Sequence, residues 1–157
     1  GSYSTPNWYW EDDIARNQMY VQPGDEVYVR TISDSDNAAN YDFTVNVVPC
    51  ASVEYTIGTE QKDVVLDRDN YTEYSFTPDS SGEYELTAFS RNEFNWIITD
   101  SENNVVKNEY SNGAVYETFN LKENGNYTIR FTPNSMTETG SLTFEITKAE
   151  DNITVAL

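Results

Sequence analysis

Residues 94–150 alternate apolar and polar side chains in three runs, FNWIITDSENNVV, YETFNLKENGNYTIRF and GSLTFEITKAE, each stopped by a polar turn. Residues two apart share a face of a strand, whereas a helix needs a repeat near ~3.6. The runs therefore read as strands, rich in the β-branched and aromatic residues that fit a pleated surface. Gly125, in the turn Glu123-Asn124-Gly125-Asn126, divides Thr118-Phe119-Asn120-Leu121 from Tyr127-Thr128-Ile129-Arg130. Gly140 opens the last run after a polar loop, so the punctuation is that of hairpins.

A shorter version of the same phrase opens the chain as WYWEDD, QMYVQPGDEVYVRT and NYDFTVNVVP. In both copies an apolar residue (Val21 or Leu121) precedes a turn glycine, and an alternating strand then ends in Arg30 or Arg130. A Phe-Thr-Val or Phe-Glu-Ile strand follows. The chain reads as one whole β-module preceded by the closing half of another. Residues 1–50 are the partial unit, 51–148 the module, and 149–157 a tail strand or linker.

Taken in order, residues 3–13 become a short strand with Trp8 and Trp10 on one face and Tyr9 on the other. Residues 14–21 read as one helical turn or, since Met19 and Val21 alternate into the Pro23-Gly24 turn, as a loop leading into a strand; a further strand falls at 26–32, with Val27 and Val29 in step. After the polar loop SDSDNAAN, a strand at 41–48 directs Tyr41, Phe43, Val45 and Val47 inward. Further strands fall at 53–57, 61–66, 71–77 and 82–89, with turns at Asp67-Arg68-Asp69-Asn70 and Pro78-Asp79-Ser80-Ser81-Gly82. About eight strands at spacings of roughly ten residues, with no amphipathic helix, predict an all-β fold, an antiparallel, jelly-roll-like β-sandwich. The tail alternates at Ile153, Val155 and Leu157 and resembles the opening ASVEYTI. Unpaired strand edges are a liability, so the first fifty or so residues are expected to be completed by the tail, the main sandwich or a second chain.

Charge narrows the partners. The 157 residues hold 27 acidic and 9 basic side chains and no histidine, a net charge of −18. Nucleic-acid backbones and anionic membranes need a positive patch, so neither is expected as a partner. The single cysteine, Cys50, excludes an intrachain disulfide. No apolar run approaches the ~20 residues that span a bilayer. The chain reads as a soluble piece of a larger secreted protein, with neighbouring domains, at a bacterial cell surface or outside the cell.

Several phrases of residues 51–148 resemble those of bacterial pre-peptidase C-terminal domains. They are Tyr71-Thr72-Glu73-Tyr74-Ser75-Phe76-Thr77, Gly82-Glu83-Tyr84-Glu85-Leu86, Trp96-Ile97-Ile98-Thr99-Asp100-Ser101-Glu102-Asn103 and Gly125-Asn126-Tyr127-Thr128-Ile129-Arg130. The resemblance implies a jelly-roll-like sandwich of the kind appended to secreted proteases, related to clostridial collagen-binding modules. Where such domains begin with Asp-x-Asp-Tyr-Tyr, this chain has Asp67-Arg68-Asp69-Asn70-Tyr71, so their calcium site does not carry over directly.

Catalysis is not expected. Without histidine there is no Ser-His-Asp triad, and a lone cysteine has no base to activate it. Sugar binding needs a flat ring for the apolar face of a pyranose and amides or carboxylates for its hydroxyls. Trp8, Tyr9 and Trp10 beside Asp12 offer both, and Trp96 and Tyr110 with their neighbouring asparagines form a second set. A core role is the competing reading for Trp96, because Phe94 and Ile98 are in step with it. No cofactor is expected; calcium is the one candidate metal, with Asp67 and Asp69 or the SDSDN loop (33–37) as ligands, and solvated turns as the plainer reading. The expectation is a non-catalytic carbohydrate-binding module for a polysaccharide, starch or another glucan first. A protein-interaction or structural sandwich of collagen-binding or protease-appended type is the alternative.

Overall fold

Alternation in the sequence becomes alternation in burial. The computed structural model describes residues 9–11, 14–16, 21, 24–29, 42–134 and 139–149, with the backbone alone for 9–11 and 14–16. The chain divides into two compact units, Gly1–Asn46 and Val47–Leu157.

The second unit is a two-sheet sandwich. One sheet has five strands in the order β3 (Cys50–Glu54), β5 (Tyr71–Phe76), β10 (Tyr127–Pro133), β7 (Phe94–Asp100) and β8 (Val105–Ser111). The other has four, in the order β4 (Gln61–Leu66), β11 (Gly140–Lys148), β6 (Gly82–Ser90) and β9 (Ala114–Leu121). Every pair is antiparallel except β3 with β5, which is parallel. The antiparallel all-β sandwich expected from the sequence is thus the fold found, with one parallel edge added.

Tyr127, Ile129 and Phe131 of β10 and Leu142, Phe144 and Ile146 of β11 point into one core. Rings from the two sheets meet there: Phe144 lies 5.2 Å from Tyr74 and 5.0 Å from Phe131, centroid to centroid. Burial of this apolar surface is the main stabilising term. Polar groups at its margins are satisfied. Tyr55 donates its hydroxyl to the Thr59 carbonyl (2.7 Å) and accepts from the Ile146 amide (2.8 Å), which ties the loop before β4 to β11. The Tyr127 hydroxyl accepts from the Lys122 amide (3.0 Å), and its ring lies where a Cβ on residue 125 would be, so that turn requires Gly125. Between Leu142 and Phe144 the β4–β11 register slips at a bulge, beside Asp63 with a φ of 55°.

In the first unit, β1 (Tyr9–Glu11) pairs antiparallel with β2 (Ile14–Arg16), Trp10 opposite Ala15. Residues 14–16, read from sequence as a loop, are therefore a strand, because they have an adjacent backbone to pair with. Of the strands expected at 26–32 and 41–48, the described residues 26–29 and 42–48 form no ladder. A strand is completed only by a partner's hydrogen bonds. The alternating rows are accordingly exposed, Val29 at 57% and Phe43 at 68%. Trp8, Asp12, the SDSDN loop and the tail from 150 lie outside the described residues.

Candidate functional site

The outer face of the four-stranded sheet carries the two most exposed rings among the described residues of the sandwich. In β6, Tyr84, Leu86, Ala88 and Ser90 are buried, so strand geometry turns Thr87 and Phe89 outward. In β9, Val115, Phe119 and Leu121 are buried and Tyr116 points out. Thr87 pairs with Tyr116 and Phe89 with Ala114, which makes Phe89 and Tyr116 diagonal neighbours across the two strands. On the other side, β11 places Thr143 opposite Phe89 and Glu145 opposite Thr87.

Thr87, Phe89, Tyr116, Thr143 and Glu145, with Glu60 from the loop before β4, line an open groove of about 210 Å³. Phe89 is 64% and Tyr116 77% exposed, and no basic side chain lines the groove. Its chemistry is two ring faces, two threonine hydroxyls and two carboxylates. Phe89 and Thr143 also border a second depression of about 310 Å³ that reaches Arg91 and Asn92.

Of the residues expected from sequence to bind ligand, Tyr110 is placed on the opposite sheet. It is half-exposed on β8, directly across from Asn95. Local desolvation, then the Glu93 carboxylate that accepts its hydrogen bond, push the Tyr110 hydroxyl above its usual range. Asn134 donates to Glu93 (3.0 Å) and accepts from Asn95 (3.4 Å), so amides and a carboxylate flank this ring too. Trp96 does not serve as a platform. It is 1% exposed in the core, opposite Phe131, and has no free ring face. Tyr9 and Trp10 are on β1 with backbone alone described, and Trp8 and Asp12 lie outside the described residues.

Phe89 and Tyr116 were not singled out from the sequence, although a signal was there. Tyr84, Leu86 and Ala88 in step leave Phe89 on the other face, as Val115, Phe119 and Leu121 leave Tyr116. A large ring out of phase with its core row is the mark of an exposed platform.

Elsewhere the chemistry is quiet. Cys50 is exposed, and desolvation by the surrounding chain followed by the Glu73 carboxylate pushes its thiol up, away from a reactive thiolate. Among the described residues no group of three or more His, Cys, Asp or Glu side chains could hold a metal ion. At the Asp67 turn, the Asp67 carboxylate accepts from the Asp69 amide (2.9 Å) and Arg68 donates to the Pro133 and Asn134 carbonyls (3.0 and 3.2 Å). No helix is long and apolar enough to cross a membrane among the described residues.

No protein-family model and no curated protein matches the sequence. Among solved structures, the pre-peptidase C-terminal domain of a collagenase from Bacillus anthracis aligns with a TM-score of 0.51 and 15% identity, over 66% of this chain and 99% of that one. A surface-associated copper-binding protein of Methylomicrobium album BG8 aligns at a TM-score of 0.41 and 9% identity, over 64% of this chain and 100% of that one. A mitogen from Yersinia pseudotuberculosis aligns at 0.36 and 14%, over 61% and 80%. Those two are too distant to carry an argument. The sandwich of this chain therefore has the fold of a pre-peptidase C-terminal domain, as the phrases of residues 51–148 implied.

Proposed function

We propose that the chain is a non-catalytic binding module of a secreted or surface-attached bacterial protein, and that its ligand is a neutral polysaccharide, with a glucan such as starch first. The observation that carries this reading is the Phe89–Tyr116 groove. Two exposed rings on adjacent strands offer stacking faces, and Thr87, Thr143, Glu60 and Glu145 stand beside them as hydrogen-bond partners for sugar hydroxyls. The net charge of −18 and the carboxylate rim repel polyanions, which points to an uncharged chain. The absence of histidine from the sequence and the unactivated Cys50 thiol support a role without catalysis.

Affinity-gel retardation on starch, cellulose, xyloglucan and pectin tests it, with wild type, Tyr116→Ala, Phe89→Ala and Tyr110→Ala. Retention on a neutral glucan and none on pectin is expected. Tyr116→Ala should weaken it by about fivefold to a hundredfold, as loss of a stacked ring worth ~1–3 kcal/mol would, with an unchanged circular dichroism spectrum. Retention on none of the four, or retention untouched by both Phe89→Ala and Tyr116→Ala, would count against the reading.

A further inference from the structure

The first unit aligns on the second without a gap over most of its length: Tyr9, Trp10, Val21, Val27, Val29 and Arg30 fall on Glu109, Tyr110, Leu121, Tyr127, Ile129 and Arg130. The strands agree with this alignment. β1 and β2 fall on the end of β8 and the start of β9, and the joint Asp12-Asp13 falls on Asn112-Gly113. One residue further out of step, Phe43 and Val45 fall on Phe144 and Ile146. Residues 1–46 thus carry counterparts of β8, β9, β10 and β11, and the counterparts of β3 to β7 are not among them.

The topology of the complete module says what this costs. β10 lies between β5 and β7, and β11 lies between β4 and β6. The two strands belong to different sheets, and every neighbour of either comes from the half of the module that the first unit lacks. Their counterparts at 26–29 and 43–47 accordingly form no ladder. Tyr127, Ile129, Phe144 and Ile146 are 7%, 0%, 1% and 0% exposed, whereas the aligned Val27, Val29, Phe43 and Val45 are 46%, 57%, 68% and 67% exposed.

We infer that the first unit is the closing half of a second sandwich of the same kind, and that its two apolar rows are a docking surface for an opening half with the strand order of β3 to β7. The occupant is a five-strand segment like residues 50–100, whose β5, β7, β4 and β6 equivalents pair on both sides of 26–29 and 43–47. The completed sandwich would carry Trp10 at the position where the second carries Tyr110.

The test extends the full chain by placing a second copy of residues 51–100 ahead of Gly1, which restores the register of the complete module. Thermal unfolding is followed by circular dichroism. The 157-residue chain should unfold in one cooperative transition that Phe43→Ala leaves in place. The extended chain should gain a second transition, which Phe43→Ala removes while the first persists. A further extended chain carrying Val27→Tyr, Val29→Ile and Val45→Ile matches the rows to Tyr127, Ile129 and Ile146 and removes side-chain mismatch as a cause of failure. The inference is overturned if neither extended chain gains a Phe43-dependent transition. It is also overturned if the unextended chain sediments as a dimer that Phe43→Ala dissociates, because a second copy would then be the cover.

Discussion

Ile129 and Val29 each stand one place before an arginine, a few residues after a turn, in segments of the same alternating pattern. Ile129 is fully buried between two neighbouring strands, and Val29 is 57% exposed in a segment with no ladder. Phe144 and Phe43 differ in the same way, at 1% and 68%. Local pattern selects which residues would face a core. Whether the core forms is decided by strands distant in sequence, since in a sandwich almost every pairing is non-local. Helical units would not show so sharp a divide, because a helix satisfies its own backbone.

The comparison breaks first at its large rings. Phe144→Ala should cost about 3–5 kcal/mol in urea unfolding, the range for emptying a core aromatic site. Phe43→Ala should change stability by no more than about 0.5 kcal/mol. Equal costs would mean that the first unit already has a core of its own.

A smaller effect is expected where the second unit fixes a loop through one hydroxyl. Tyr55→Phe keeps the ring against Phe144, 4.9 Å between centroids, and removes the partner of the buried Ile146 amide. Leaving that donor unsatisfied should cost about 1–3 kcal/mol, read as a lower urea midpoint with an unchanged slope.

The smallest effect is electrostatic and belongs to the turn after β7. The hydrogen bond from the Asn104 side chain, opposed next by desolvation and then reinforced by the Asn104 and Glu102 amides, holds the Asp100 carboxyl below its ordinary value of 3.8. A depressed folded-state value stabilises the ionised form, so the contribution is fully present above pH 3.8 and fades as the pH falls through the lower folded value. Asp100→Asn should therefore lower the melting temperature slightly at neutral pH, with the gap from wild type closing below that window. A gap that persists in acid would assign the effect to turn geometry and not to charge.

Much of the second unit was legible because its strands are half-buried and each announces its inward row. Tyr84-Leu86-Ala88 and Leu142-Phe144-Ile146 are examples, and both rows are buried. The parallel pairing of β3 with β5 was not legible, since which edge a strand joins is set by the path of the whole chain. The patterns at 26–32 and 41–48 are as good as those of β10 and β11, yet their described residues 26–29 and 42–48 form no ladder, because a pattern does not carry its partner. At the site, Trp96 was proposed for its chemistry although Phe94 and Ile98 shared its face, and it proved to be core. Phe89 and Tyr116 escaped notice because alternation alone marks a strand without saying which of its two faces is the core.

Hydrogen exchange on the 157-residue chain tests the central contrast most directly. Amides of β10 and β11 are expected to exchange only through global unfolding, and those of residues 26–29 and 43–45 at nearly the rate of an unstructured chain. Comparable protection in both sets would contradict it, because the first unit would then hold paired strands without an opening half.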